Sequence, residues 1–346
     1  ADRVRLGDTG APGVPQANAV STQPDEVRVR WRSSIDLDDT RLTYRVYRDG
    51  SETPVHTVAG DSSDWSRPQL SFTDRDVTPG HTYSYRVSAT DGAGNTSARS
   101  ASVTATVPVS AEKYPAAVRD DGATLYWRYD ESATPFAADS SRPADHGGVY
   151  AGGPALRQTP AAVTGPSPAL GLDGTDQQVY SDRPSTVEGA FSIETWFKTT
   201  TRRGGKLIGF GNYTTAKSNK YDKQLYMTND GSLAFGVYSG STRTLISPRS
   251  YNDGRWHHVV GTQGPSGMTL YVDGAAIGHN SVTGNQQFAG YWHVGGDNLD
   301  GWPSRPTSNF FAGQVDESAV YSSALSATQV KRHHTLASAP ADTVRT

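Results

Sequence analysis

The residues best suited to chemistry sit in one unusual stretch, 290–309, which sets Tyr291, Trp292 and Trp302 among Asp297, Asn298 and Asp300 in a Gly- and Pro-rich segment. Aromatic faces stack on the C–H faces of sugar rings, and carboxylates and amides pair with sugar hydroxyls. A loop that carries both on a rigid scaffold has what a sugar-binding loop needs. Tyr221, Asp222 and Lys223 follow the polar segment 214–219 and are placed to line the same face. The competing reading makes Trp292 a core residue and Trp302-Pro303 a plug of the loop.

A second chemistry is cation binding. Calcium takes carboxylates, carbonyls and water. Asp139 lies in an irregular Asp-Ser-Ser segment before Gly147-Gly148, Asp173 in Leu-Asp-Gly, and Asp316 on a long strand next to Glu317. A structural Ca²⁺ at these three is one expectation, and ordinary turn aspartates are the other. His257 and His258 are consecutive strand residues and point to opposite faces, so they do not share a ligand position. His333-His334 ends a short helix, where imidazole interacts well with the helix dipole.

Several chemistries are excluded. The chain has no Gly-x-x-x-x-Gly-Lys-Ser/Thr, Gly-x-Gly-x-x-Gly, Gly-x-Ser-x-Gly or His-Glu-x-x-His, and no Cys for zinc motifs. A net charge of −3 with no basic run argues against nucleic acid. No apolar stretch nears the ~18 residues that span a membrane. The absence of Cys fits a bacterial exported protein or a cytosolic one. The chain opens on Ala1 in place of an initiator Met, which fits either a processed N-terminus or a boundary chosen for the expressed segment.

The elements that must position these residues are strands. The 346 residues suit two domains, and 36 Gly with 20 Pro make the chain rich in turns. In residues 12–108, Val27, Val29 and Trp31 alternate with polar neighbours, as do Leu42, Tyr44 and Val46, and Tyr83, Tyr85, Val87 and Ala89. Asp49-Gly50, Pro79-Gly80 and Asp91-Gly92 mark turns. Residues 108–114 read as a short polar joint. In 113–337, Phe191, Ile193, Thr195 and Phe197 face one side of a strand and Ser192, Glu194, Trp196 and Lys198 the other. Asp230-Gly231 and Asp273-Gly274 make hairpins. Ser326-Ala-Thr-Gln329 is a capping box, with Leu325 and Val330 as its hydrophobic staple. The fold class is all-β, a seven-stranded sandwich followed by a jelly-roll sandwich of about a dozen strands.

The run Asp76–Ala89 resembles the E–F corner and F strand of fibronectin type III domains. Tyr83 stands at the corner-tyrosine position and Trp31 at that of the core tryptophan. The second half resembles the laminin-G-like, concanavalin-type jelly rolls of bacterial secreted proteins. It does so through Gly189–Phe197, Asp253–Val259, Leu270–Gly274 and Phe311–Glu317. That resemblance implies pairing of the first and last strands of the domain, which would bring Asp139, Asp173 and Asp316 to one rim. It also implies lectins, adhesins, enzyme appendages or, rarely, enzymes. Glycosidases of the laminarinase kind in this fold carry Glu-x-Asp-x-x-Glu, and this chain has no Glu-x-Asp. The expectation is a non-catalytic extracellular binding module, with carbohydrate or a cell-surface glycan as ligand and the first domain as spacer. The alternative is a structural or protein-binding part of a larger secreted enzyme or surface assembly.

Overall fold

The computed structural model describes residues 10–63, 67–109, 112–131, 136–165 and 167–338. They fall into two units that divide between Glu112 and Lys113.

In the first unit, alternation sets the layers. The sheet order is Ala17–Gln23, Glu26–Arg32, Gln69–Asp74, packed on a four-stranded sheet of His56–Asp61, Arg41–Arg48, Thr82–Thr90 and Val103–Thr106. Val27, Val29, Trp31, Tyr44, Val46, Tyr85 and Val87 are fully buried between them. Asp49-Gly50 has φ of 51° and 75°, the left-handed pair of a tight turn that the Ser51 N–H closes on the Arg48 carbonyl at 3.0 Å, within the longer connection to His56–Asp61. Tyr83 does what its position implied: its hydroxyl accepts the Thr78 N–H at 3.0 Å and ties the corner to the strand.

The second unit is a two-sheet sandwich. One sheet runs Thr242–Ser250, Ser232–Tyr238, Tyr221–Met227, Gly205–Gly211, Ala289–Val294, Gln178–Ser181, Gly148–Ala151 and Phe136–Ala137, with Ser185–Thr186 attached. The other runs Ala155–Gln158, Ala169–Asp173, Ala312–Tyr321, Phe191–Lys198, Trp256–Gly264, Gly267–Val272 and Ala275–Asn280. Ala123–Trp127 pairs alongside Ala312–Tyr321, so the unit's first and last long strands do meet. The core between the sheets holds Phe191, Ile193 and Phe197 against Phe210, Leu225, Phe235 and Trp292.

Phe191–Lys198 is buried on both faces because the second sheet has a backing layer. Helix α1 (Lys113–Asp120) and helix α2 (Ala327–Ala337) lie there, and Tyr114, Val118 and Val330 pack on Trp196, Val260 and Tyr271. Lys113 and Tyr114 are therefore the first turn of a helix rather than the end of a joint. Pro115 is tolerated there because a first-turn N–H has no helical partner. The capping box forms as its spacing required: Gln329 N–H donates to Ser326 Oγ at 3.3 Å and Ser326 N–H to Gln329 Oε1 at 2.9 Å.

Beneath the helices lies a polar hub on Glu194, whose side chain is fully buried. It accepts from His258 Nε2 at 2.7 Å, Tyr114 OH at 2.9 Å, Tyr321 OH at 2.6 Å and His333 Nδ1 at 3.0 Å. His333 Nε2 in turn meets Asp121 at 2.9 Å. Burial opposes ionisation of Glu194, but the attraction of His333 and the hydrogen bonds from both imidazoles outweigh it and hold the carboxyl well below its usual range. Burial likewise opposes charge on His333, and Glu194 and Asp121 outweigh it and raise the pKa. His257 and His258 point to opposite faces, His257 meeting Asp273 at 2.9 Å and Asp253 at 3.1 Å.

Candidate functional site

The site lies on the outer face of the nine-stranded sheet and is built from its strand alternation. In Ser232–Tyr238, Leu233, Phe235 and Val237 point into the core. Ala234, Gly236 and Tyr238 point outward. The two small residues leave a hollow, and Trp302 fills it: a Cβ on Gly236 would stand 2.5 Å from the Trp302 ring. The indole also meets the Tyr226 ring edge-on at 6.4 Å, and Leu299 packs beside it. Tyr226 OH donates to the Pro303 carbonyl and fastens the loop to the sheet.

Beside this plug is a groove of about 300 Å³, lined by Tyr221, Tyr238, Thr242, Gln286, Asp300 and Trp302 among others. Tyr238 is 39% exposed and offers a ring to solvent. Tyr221 is half-buried, and its hydroxyl donates to the Asp300 carbonyl at 2.7 Å.

The groove's backbone is fixed from below. Asp222 is fully buried and accepts the N–H groups of Tyr238 at 2.6 Å and Gln286 at 2.6 Å. Lys223 Nζ lies 3.3 Å from Asp222 and donates to the Gln286 carbonyl at 2.8 Å. Burial lowers the Lys223 pKa, and Asp222 opposes that shift. On the other side, Asp297 accepts the Ser218 N–H at 3.0 Å and Lys206 Nζ at 3.3 Å. Asn298 donates to the Ser218 carbonyl at 2.8 Å and accepts the Asp300 N–H at 2.9 Å. His293 shares this buried layer, and burial pushes its pKa down to about 4, so it is neutral at pH 7.

The structure thus sorts the residues expected to touch a ligand. Tyr221 and Trp302 line the groove. Asp222, Asp297 and Asn298 are buried and spend their polar atoms on the groove's walls. Trp302 is 4% exposed, so it is a packed plug with one edge in the groove and not a free loop aromatic. Trp292 faces the core, 4.9 Å from Phe210, and Tyr291 is half-buried across from Gly211, outside the groove lining. Tyr238, Thr242 and Gln286 are the additions. Tyr238 was findable from its strand, where outward positions read small, small, aromatic. A larger trough of about 490 Å³ along Lys198–Thr201 and Ala312–Gln314 has no aromatic ring in its lining.

The three aspartates expected at one rim do not meet. Asp173 pairs in register with Ala312, whereas Asp139 bridges Trp127, which pairs with Ser318. Six strand residues at about 3.3 Å each put these places roughly 20 Å apart. Asp139 accepts the N–H groups of Tyr126, Ser141 and His146 at 3.0, 2.9 and 3.0 Å. Asp316 is buried on the Ala162 N–H at 2.9 Å, and Asp173 is exposed in its own turn. Burial first, and Glu317 second, push the Asp316 carboxyl well up. Among the described residues no group of three or more His, Asp or Glu is arranged to hold a metal ion. Asp139→Asn is expected to leave one buried donor unsatisfied and to lower stability by about 1–3 kcal/mol. Melting curves in EDTA and in excess Ca²⁺ check this: the loss should be equal in both. A Ca²⁺-dependent rise in melting temperature that disappears in Asp316→Ala would contradict the account.

Comparison with known proteins gives two family matches. Residues 173–331 match the Laminin_G_3 family, described as the concanavalin A-like lectin/glucanases superfamily, and residues 10–106 match the fibronectin type III domain. Exoglucanase B of Cellulomonas fimi is 29% identical over 278 residues, 73% of this chain and 23% of that protein. An alpha-amylase of Niallia circulans is 32% identical over 161 residues, 46% of this chain and 10% of that protein. The chain therefore spans about a quarter of the first relative's length and a tenth of the second's. Among solved structures, domain 4 of an extracellular arabinanase from Geobacillus stearothermophilus, in complex with arabinotriose, is 18% identical with a TM-score of 0.44, covering 62% of this chain and 98% of that one. A sialidase CBM40 domain of Ruminococcus gnavus bound to α2,3 sialyllactose is 19% identical with a TM-score of 0.34, covering 41% and 81%.

Proposed function

We propose that this chain, a fibronectin type III domain followed by a concanavalin A-like lectin/glucanase-superfamily domain, is a non-catalytic carbohydrate-binding part of a larger secreted glycan-degrading protein. The groove at Tyr221 and Tyr238 is its binding site, and the fibronectin domain is its spacer. One observation carries the reading: an outward tyrosine ring stands beside Gln286, Thr242 and Asp300 on a sheet whose backbone is locked from behind by Asp222. A sugar ring needs a flat apolar face and nearby hydrogen-bonding groups, already in place before it arrives.

Both curated relatives are named as enzymes that act on polysaccharides, and each is several times longer than the stretch it shares with this chain. That supports a module attached to a larger enzyme. The buried carboxylates support a non-catalytic role. Glu194 is saturated by four donors in the interior, and Asp222 and Asp297 are each tied to a lysine. No helix among the described residues is long and apolar enough to cross a membrane.

One short glycan in such a groove should bind with a dissociation constant between about 1 μM and 1 mM, roughly −8 to −4 kcal/mol. Affinity electrophoresis in gels holding soluble polysaccharides tests this. Wild type should be retarded by at least one polysaccharide, and Tyr238→Ala should lose most of that retardation, with a stability loss of about 1 kcal/mol or less because the side chain keeps 39% of its surface exposed. Retardation that survives both Tyr238→Ala and Tyr221→Ala would remove the groove from the function.

A further inference from the structure

We infer that the groove selects acidic glycans, its preferred ligand being a sugar unit that carries a carboxylate. The inference rests on the groove being the carbohydrate site. It comes from the charges around the lip. Lys220 lines the groove and is exposed, and among the described residues its ammonium meets no acid. It is held in place by its own backbone, which donates to Asn212 Oδ1 at 3.0 Å beside the Asn219 N–H at 3.1 Å.

Asp300 is the one carboxylate in the lining, and it is already taken. Its Oδ1 meets Arg305 at 2.7 Å and its Oδ2 meets Lys217. Asp222 below is buried on Lys223. Three cations thus stand against one half-buried carboxylate at the lip, and the surplus positive charge is at Lys220. Tyr221 OH is committed to the Asp300 carbonyl, which leaves the Gln286 amide and the Thr242 hydroxyl for neutral hydroxyls. A neutral sugar uses the ring and these two groups. A uronic acid uses them and adds an ionic hydrogen bond to the ammonium. Because Lys220 is exposed, that addition is modest and salt-sensitive, about fivefold in affinity.

The experiment uses the full chain and polysaccharide pairs that differ only at the carboxyl. Polygalacturonate and glucuronoxylan are each compared with their carboxyl-reduced forms, beside a panel of neutral glucans, xylans and arabinans. Titration calorimetry is run at 50 and 500 mM NaCl on wild type and Lys220→Gln. The expected result is tighter binding of an acidic form by about fivefold at low salt, a gap that closes at high salt, and a ratio of acidic-form to reduced-form affinity that falls to about one in Lys220→Gln. Equal binding of both members of every pair overturns the acidic preference and leaves the carbohydrate reading standing. A preference that survives Lys220→Gln overturns its assignment to this lip. No binding to any polysaccharide in the panel overturns the function and the inference together.

Discussion

Replacing Glu194 by Gln should cost the second unit about 3–5 kcal/mol, the range seen when one partner of a buried ionic cluster is removed. The carboxylate is an acceptor shared by strand Trp256–Gly264, strand Ala312–Tyr321, α1 and α2, through His258, Tyr321, Tyr114 and His333. An amide offers one acceptor oxygen where four donors converge, and it leaves Asp121 as the one carboxylate still hydrogen-bonded to His333 among the described residues. The pH dependence carries the same signature. Glu194 has a depressed folded pKa, so its stabilisation is present above about pH 4.5 and is lost as pH falls further. His333 has a raised one, so its contribution is full below about pH 6.5 and fades as pH rises through the folded value. The hub should therefore contribute most between those limits, and Glu194→Gln should flatten both flanks. Urea denaturation from about pH 2 to pH 9 measures this. A loss below about 1 kcal/mol, or a variant with wild-type flanks, would contradict it.

Trp302→Ala should also lower stability by about 3–5 kcal/mol, since it empties a filled hollow over Gly236, Ala234 and Tyr226. Binding should fall with it, because the indole forms one wall of the groove and anchors the segment that carries Asp300. This differs from Tyr238→Ala, which should reduce binding and leave stability nearly intact. Equilibrium denaturation beside polysaccharide retardation separates the two. A Trp302→Ala protein as stable as wild type would mean that the indole is not the plug described.

Much of the fold was legible because alternation and turn dipeptides are local signals. Val27-Val29-Trp31, Phe191-Ile193-Phe197 and the Asp-Gly hairpins fix strand faces and ends without reference to distant residues. The site was only partly legible. Trp302 sits in a Gly- and Pro-rich loop, which reads as exposed. What buries it is the pair of outward small residues Ala234 and Gly236, and their position under the loop depends on packing across about 70 residues of sequence. Asp222, Asp297 and Asn298 were singled out as polar groups near aromatics, and they are near them. Nothing local shows that their atoms are already spent on Ser218, Gln286 and Tyr238. His333 read as a helix-end histidine, whereas its partner Glu194 lies 139 residues away. Tyr114 was hidden because an eight-residue helix is too short to show periodicity.

The central claim is that the groove is where carbohydrate binds. A crystal structure of the full chain, grown with the oligosaccharide it retains best, tests that most directly. The account predicts a sugar ring against the Tyr238 face, with hydroxyls in reach of Gln286 and Thr242, and Asp222 unmoved beneath. Sugar density elsewhere, for instance in the trough between Thr199 and Gln314 with the groove unoccupied, would contradict it.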